Sequence, residues 1–224
     1  MKSGRVAEAS IVFGSTVGVS LASILWSGRA ARAAVAFTDV HLFGIVAFEL
    51  LIAALLVPWL RRRGWSPREV AGDPSPLDIV RGIGVWLLGV GCYTATFIIF
   101  YALQPEVARA LASEPGFPGA APSAAAVVLV SVVNPVFEEF LWLGYGVTRH
   151  SPGLGVRGAA ALSVVLRTLV HLYQGPALML GVLPLGVAFT WYFVRTRRLW
   201  PVVVAHALFD AMGLVYRMST EGSG

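Results

Sequence analysis

Charged residues are scarce in this chain, and their scarcity argues against an ordinary soluble protein. Asp, Glu, Lys and Arg together make up 13% of the 224 residues, whereas soluble domains carry about 25%. Hydrophobic residues account for 57% of the sequence. This composition predicts an integral membrane protein that contacts lipid over much of its surface.

The sequence has one cysteine and lacks two well-known catalytic motifs. Cys92 is the only cysteine of the sequence, so an intrachain disulfide is excluded. The His-Glu-x-x-His spacing of zinc peptidases and the Gly-x-Ser-x-Gly spacing of serine hydrolases do not occur. The chain therefore lacks the local patterns by which those two classes of hydrolase are recognised.

The positive charge of the chain is placed in a way that is typical of membrane topology. A formal net charge of +5 would raise nucleic-acid binding in a soluble domain. Here arginines follow apolar runs, as at Arg61, Arg62 and Arg63, where they orient helices in a membrane. We therefore expect no nucleic-acid partner. The distribution of Lys and Arg favours a cytoplasmic N-terminus. The Ala-, Arg- and Gly-rich composition is typical of a high-GC bacterium, so we expect the protein in a bacterial inner membrane.

Long apolar runs recur along the chain. A helix needs about 20 apolar residues to cross a bilayer, and the basic N-terminus is expected to lead into a first span rather than a cleaved signal. The sequence thus predicts an all-α, polytopic bundle of about seven membrane helices in a single domain, 1–224. The predicted spans are 9–26, 42–60, 79–103, 124–146, 158–173, 177–194 and 201–216.

The proposed domain has two parts that differ in their ionisable content. Residues 1–123 hold the N-terminal spans and a Pro- and Gly-rich stretch, 104–122, which predicts an external loop. Residues 124–216 hold spans with acids, imidazoles and an arginine inside apolar sequence. We expect any chemistry to reside in this second part.

Two adjacent acids, Glu138 and Glu139, lie inside the fourth predicted span. Ionised carboxylates in hydrocarbon are costly and usually functional. Ser131, Asn134 and Glu138 share one helix face, while Glu139 points roughly 100° away. The two carboxylates therefore need not address the same atom, and one of them can act as a general base while the other orients a partner.

Two further spans carry ionisable residues four positions apart. Arg167 and His171 share a face of the fifth span, and His206 and Asp210 share a face of the seventh. An intramembrane arginine needs an anion, which one of the three acids of this region can supply. Acids and imidazoles buried together predict hydrolytic chemistry.

The residues leave the question of a metal open. Two histidines and two glutamates can bind zinc in principle, and a water activated by glutamate without metal is equally compatible. No cofactor is required, and zinc is not excluded. Glu49 stands alone in the second span as either a strut between helices or a supporting acid.

The order of these motifs resembles the CAAX prenyl protease and bacteriocin-processing family, also called CPBP or Abi. The resemblance covers about 124–216 and implies an intramembrane endopeptidase of the glutamic type. Glu138 and Glu139 match the paired acids, one of which activates the water, and His171 matches the histidine that helps to hold it. His206 matches the third-motif histidine, whose polar partner, thought to stabilise the oxyanion, corresponds to Asp210.

Three positions depart from the family pattern. The family usually has Arg four residues after the second Glu, where this chain has Leu143, and often Phe four residues before the second-motif His, where it has Arg167. We hypothesise that the cation has moved from the fourth span to the fifth. The third motif more often ends in Asn than in Asp210, and a charged Asp would repel an oxyanion unless it is protonated, paired or otherwise employed.

The predicted function is hydrolysis of a peptide bond in a membrane-associated or exported protein or peptide, with a processing or sorting role preferred. The composition argues against prenylated substrates. One alternative is a catalytically silent immunity or chaperone-like protein of the same fold. A proton-coupled transporter has less support, because internal repeats are often visible in transporters and none is seen here.

Overall fold

The computed structural model describes residues 2–19, 37–112, 121–171 and 176–221, and these ranges contain helices and no strand. The predicted all-α class is confirmed. Two π-helical turns extend helices, over Gly14–Gly18 after α1 and over Phe140–Val147 after α6. The helices are α1 Lys2–Phe13, α2 Asp39–Arg62, α3 Pro67–Ala71, α4 Pro76–Leu103, α5 Pro105–Ala112, α6 Ala124–Glu139, α7 Thr148–Val170, α8 Pro176–Thr196 and α9 Trp200–Glu221.

Side-chain caps fix where the central helices begin. Ser75 precedes α4 and forms a reciprocal capping box with Asp78, and the Ser123 hydroxyl accepts the Ala126 N–H at 3.3 Å at the start of α6. The Asp39 carboxylate at the start of α2 accepts the Ser123 N–H at 2.6 Å. This last bond holds the first turns of α2 and α6 side by side.

Several helices are apolar and expose their apolar side chains. Asp39–Arg62, Pro76–Leu103 and the stretch Ala124–Val170 are long and apolar enough to cross a membrane, and Trp200–Tyr216 is a shorter apolar helix. Large side chains such as Leu55 remain on the outer surface, as expected where lipid replaces water. The count of about seven spans stays a prediction, because the first and fifth predicted spans run into residues outside the described ranges.

The boundary between the fourth and fifth predicted spans lies at a glycine. Gly155 has φ 70° and ψ 162° and interrupts Thr148–Val170 with a kink. Backbone of this kind is readily reached only by glycine. The helix after the kink carries Arg167 back toward the end of α6.

One sequence prediction needs correction. Residues 104–122 were expected to form a loop, yet Pro105–Ala112 is a helix. Proline is well tolerated in the first turn of a helix, where its missing N–H has no partner to lose. Residues 113–120 of that predicted loop lie outside the described residues, and residues 121–122 are not helical.

Close packing positions the helix that carries His206. A Cβ atom built on Gly82 of α4 would lie 2.5 Å from the Val204 Cβ and 3.0 Å from the Pro201 carbonyl oxygen of α9. Gly82 therefore allows α4 and α9 to approach more closely than any side chain would permit. The core next to this contact includes Phe189 and Val202.

Candidate active site

Glu139 lies at the C-terminal end of α6 and is fully buried. Its Oε1 atom accepts a hydrogen bond from His206 Nδ1 at 2.7 Å and lies 2.5 Å from the Arg167 guanidinium. A buried charge is stable only when it is paired and hydrogen-bonded. Three helices, α6, α7 and α9, therefore meet at this one carboxylate.

Glu138 has different surroundings from its neighbour. Its Oε2 atom accepts the Trp142 indole N–H at 3.3 Å, and its Oε1 atom lies 3.5 Å from Asn134 Nδ2. Glu138 also lies within electrostatic reach of His171 and His206. It keeps a small accessible surface of 8%, compared with 0% for Glu139. The two adjacent acids therefore occupy different environments, as their angular separation on the helix predicts.

The two histidines approach the acids from different helices. His206 places its second ring nitrogen, Nε2, 3.5 Å from the Asp210 carboxylate, so its ring lies between Asp210 and Glu139. His171 caps the C-terminus of α7, one turn beyond Arg167. The five residues predicted to be catalytic thus gather with Arg167 and Asn134 around the end of α6.

Several buried polar atoms of this region have no hydrogen-bond partner among the described residues. They are Glu49 Oε2, Ser131 Oγ, Glu139 Oε2, Arg167 Nε and Arg167 Nη2, the last of which contacts Glu139 as an ion pair without hydrogen-bond geometry. Native proteins satisfy nearly all buried polar atoms with protein, water or ligand. The region therefore has capacity to bind water or the polar backbone of a peptide.

The arrangement does not form a recognisable metal centre. Within the described part of the chain, no three His, Cys, Asp or Glu side chains come together in a way that could hold a metal ion. The carboxylates of the site are instead engaged by Arg167, Trp142, His206 and Asn134.

The segment that holds these ionisable groups matches a known protein family. Residues 120–212 match the family model described as Rce1-like, type II CAAX prenyl endopeptidase Rce1-like. The match covers fewer than half of the 224 residues, and over this segment the chain is similar to the Rce1-like family. No curated protein and no solved structure matches the chain. The resemblance predicted from the sequence is confirmed, and it supports a CAAX-type intramembrane protease at the level of the family. Together with the apolar helices, it makes the chain an integral membrane protein.

Within the Rce1-like segment, the structure accounts for the unusual Arg167. Leu143, which stands where the family resemblance leads one to expect arginine, is fully buried in an apolar cluster with Val147 and Phe189. The cation beside Glu139 comes from α7 instead. The Arg167 guanidinium also lies 5.8 Å from the centre of the Phe189 ring, within range of a cation–π interaction. This geometry agrees with the hypothesis of a relocated arginine.

Glu49 lies outside the Rce1-like segment but contacts the site. Its Oε1 atom accepts a hydrogen bond from Asn134 Nδ2 at 2.6 Å. The sequence indicated only a strut or a supporting acid. The available signal was that a lone buried acid needs a donor, and that Asn134 shares a face with Glu138.

A second buried ion pair was missed by sequence reasoning. Glu8 of α1 is 3% exposed and accepts two hydrogen bonds from the Arg149 guanidinium, at 2.7 and 3.0 Å, and one from the Tyr145 hydroxyl at 3.3 Å. Burial opposes ionisation of Glu8, but the bonds from Arg149 outweigh it and lower the pKa of this carboxyl below its usual value. The network ties the N-terminal helix to the π-helical turn that follows the two acids.

Proposed function

We propose that the chain is an intramembrane endopeptidase in which Glu138 activates the attacking water. The observation that carries this proposal is the unequal pairing of the two acids. Glu139 is fully buried against Arg167 and His206, whereas Glu138 is bound by neutral N–H donors and keeps an accessible edge. A carboxylate that is hydrogen-bonded by neutral donors, rather than held by a guanidinium, is the better proton acceptor, and His171 and His206 lie close enough to Glu138 to act on it electrostatically.

The proposed reaction uses Glu138 first as a base and then as an acid. Its carboxylate takes a proton from water while the water oxygen attacks the peptide carbonyl carbon, and the carbonyl electrons move onto the oxygen. The resulting oxyanion needs preorganised donors. The family resemblance links the third motif, His206 with Asp210, to this role, and we propose His206 as the donor because a carboxylate cannot donate a hydrogen bond. When the tetrahedral intermediate collapses, the C–N bond breaks and the proton on Glu138 passes to the leaving amine.

His206 can donate a hydrogen bond to the oxyanion only if its Nε2 atom gives up its contact with Asp210. Its Nδ1 is held by Glu139, while its Nε2 lies 3.5 Å from Asp210, beyond the length of a strong hydrogen bond. We propose that the substrate carbonyl replaces this long contact. In this reading Asp210 orients the imidazole before the substrate arrives.

The proposed substrate is a peptide segment of a membrane-associated or exported protein, cleaved in a bacterial inner membrane with the N-terminus of the enzyme cytoplasmic. The whole chain is proposed to act as one domain. The name of the family refers to prenyl endopeptidases, so prenylated C-terminal peptides belong in any test. The composition favours non-prenylated sorting or processing segments.

A peptide panel tests this function. Purified protein in lipid nanodiscs is incubated with fluorogenic peptides, prenylated and non-prenylated, and the cleaved bond is identified by mass spectrometry. We expect Glu138→Gln and His171→Asn to reduce turnover of any substrate by about 100-fold or more. Glu106→Gln, at an exposed acid of α5, is the control and should keep full turnover.

The catalytically silent alternative rests on Asp210, which replaces the more usual asparagine. It predicts that no peptide is turned over and that an immunity phenotype survives substitution of Glu138, Glu139, His171 and His206. Loss of cleavage in the Glu138 and His171 variants alone, with the control unaffected, would contradict it.

A further inference from the structure

Glu49 is a buried acid that the proposed reaction has not used. It lies on α2, outside the Rce1-like segment, and is 4% exposed. Its short hydrogen bond of 2.6 Å from Asn134 Nδ2 crosses from α6 to α2. A buried acid far from the family motifs and bonded to a residue beside Glu138 needs a physical explanation.

One amide group stands between two carboxylates. Asn134 Nδ2 lies 2.6 Å from Glu49 Oε1 and 3.5 Å from Glu138 Oε1. An amide nitrogen carries two hydrogens, so it can direct one toward each acid. When Glu49 holds the first hydrogen, the direction of the second is fixed.

The helices on either side of this bridge are packed rigidly. Leu42, Val46 and Glu49 recur on one face of α2 at helical spacing. They oppose Ala126, Val130 and Asn134, which recur on one face of α6. The four apolar members form a buried cluster, and the Asp39–Ser123 bond closes its end. Glu49 is therefore held at a defined position relative to α6.

We propose that Glu49 is a positioning residue that, through Asn134, fixes the orientation of the Glu138 carboxylate. This inference rests on the proposed function, because it gives Glu138 a direction that matters for proton transfer. The other oxygen of Glu138 is held by Trp142, so Asn134 and Trp142 together define the plane of the carboxylate. The family motifs alone would not reveal that Glu49 takes part in this hydrogen-bonded arrangement.

Kinetics of four variants test the coupling. We expect Glu49→Leu and Asn134→Ala each to lower kcat about tenfold with little change in KM, because misplacement of a catalytic group slows chemistry. Glu49→Gln retains an acceptor oxygen for Asn134 and should recover most of the rate. The double variant Glu49→Leu/Asn134→Ala should be no slower than either single one, since both act through one bridge.

Two kinetic outcomes would overturn the inference. One is a wild-type kcat for Glu49→Leu. The other is a double variant slowed by the product of the two single effects, which would mean that the residues act independently. Leu50→Ala, at an exposed neighbour on α2, controls for disturbance of the helix, and thermal unfolding of every variant controls for loss of fold.

A spectroscopic measurement keeps this inference separable from the proposed function. The Trp142 indole N–H, which donates to Glu138, is observed by ¹⁵N NMR in nanodiscs and assigned with Trp142→Phe. We expect Glu49→Leu and Asn134→Ala to move this signal in the same direction, while Leu50→Ala leaves it in place. An unmoved signal in Glu49→Leu would refute the positioning role even if no peptide is cleaved. A moved signal without any cleavage would instead refute the peptidase proposal and leave the bridge intact.

Discussion

At the scale of single residues, the two adjacent carboxylates of the site differ in the side chains that bind them. Glu138 and Glu139 are neighbours in sequence, yet one is bound by an indole and an amide and the other by a guanidinium and an imidazole. Because a charge partner stabilises the ionised acid, the two carboxylates are suited to different tasks. Arg167 is the residue that makes this difference.

Arg167→Leu should therefore damage both stability and activity. It leaves Glu139 buried without its cation, and breaking a buried pair from one side typically costs about 3–5 kcal/mol. Thermal or denaturant unfolding in nanodiscs measures the loss, and a peptide assay measures activity. Arg167→Lys keeps a charge but not the planar guanidinium, so its stability and activity should lie between those of the wild type and of Arg167→Leu.

A second substitution distinguishes charge pairing from simple packing. In the Arg167→Leu background, Glu139→Gln removes the uncompensated charge and should recover part of the lost stability without restoring activity. Normal folding and full activity of Arg167→Leu would reject the idea that the arginine has been relocated from the fourth span to the fifth.

At the scale of helices, close contact between α4 and α9 sets the position of His206. We expect Gly82→Ala to lower the free energy of unfolding by about 1–3 kcal/mol, because its methyl group would overlap Val204 and push the helices apart. Gly84→Ala is the matched control, since no atom outside its own helix backbone and chain neighbours lies within 4 Å of a Cβ built there. If both variants are equally stable, the proposed close approach of α4 and α9 is wrong.

The helices also show what sequence can and cannot predict here. The apolar runs and the four-residue spacings of Arg167–His171 and His206–Asp210 predicted helices and a shared site, because these are local periodicities. The Glu8–Arg149 and Glu49–Asn134 contacts join residues far apart in the chain. They depend on how each helix rotates and tilts against its neighbours, which local periodicity does not determine.

At the scale of the whole molecule, the Glu8 network joins the N-terminal helix to the Rce1-like segment. Because the pKa of Glu8 is lowered in the folded protein, its ion pair stabilises the fold above about pH 4.5, the value for an unperturbed carboxyl. The contribution is lost as the pH falls through the lowered pKa of the folded state. The stability of the protein at low pH therefore depends on the contact between the N-terminal helix and Arg149.

Thermal unfolding across pH checks this link. We expect Glu8→Gln to be less stable than the wild type near neutral pH by about 2 kcal/mol, since hydrogen bonds to charged groups are lost. The gap should shrink as the pH drops below about 4.5. Glu106→Gln, at an exposed acid, should show little difference at any pH. A gap for Glu8→Gln that does not depend on pH would contradict the ion-pair explanation.

Single-turnover cleavage of one peptide shows whether Glu138 activates the attacking water. Wild type and Glu138→Gln are compared in nanodiscs, with peptide binding measured separately. We expect the substitution to slow the cleavage step about 100-fold or more while the Kd for the peptide stays within about twofold. Cleavage by Glu138→Gln at the wild-type rate would contradict it.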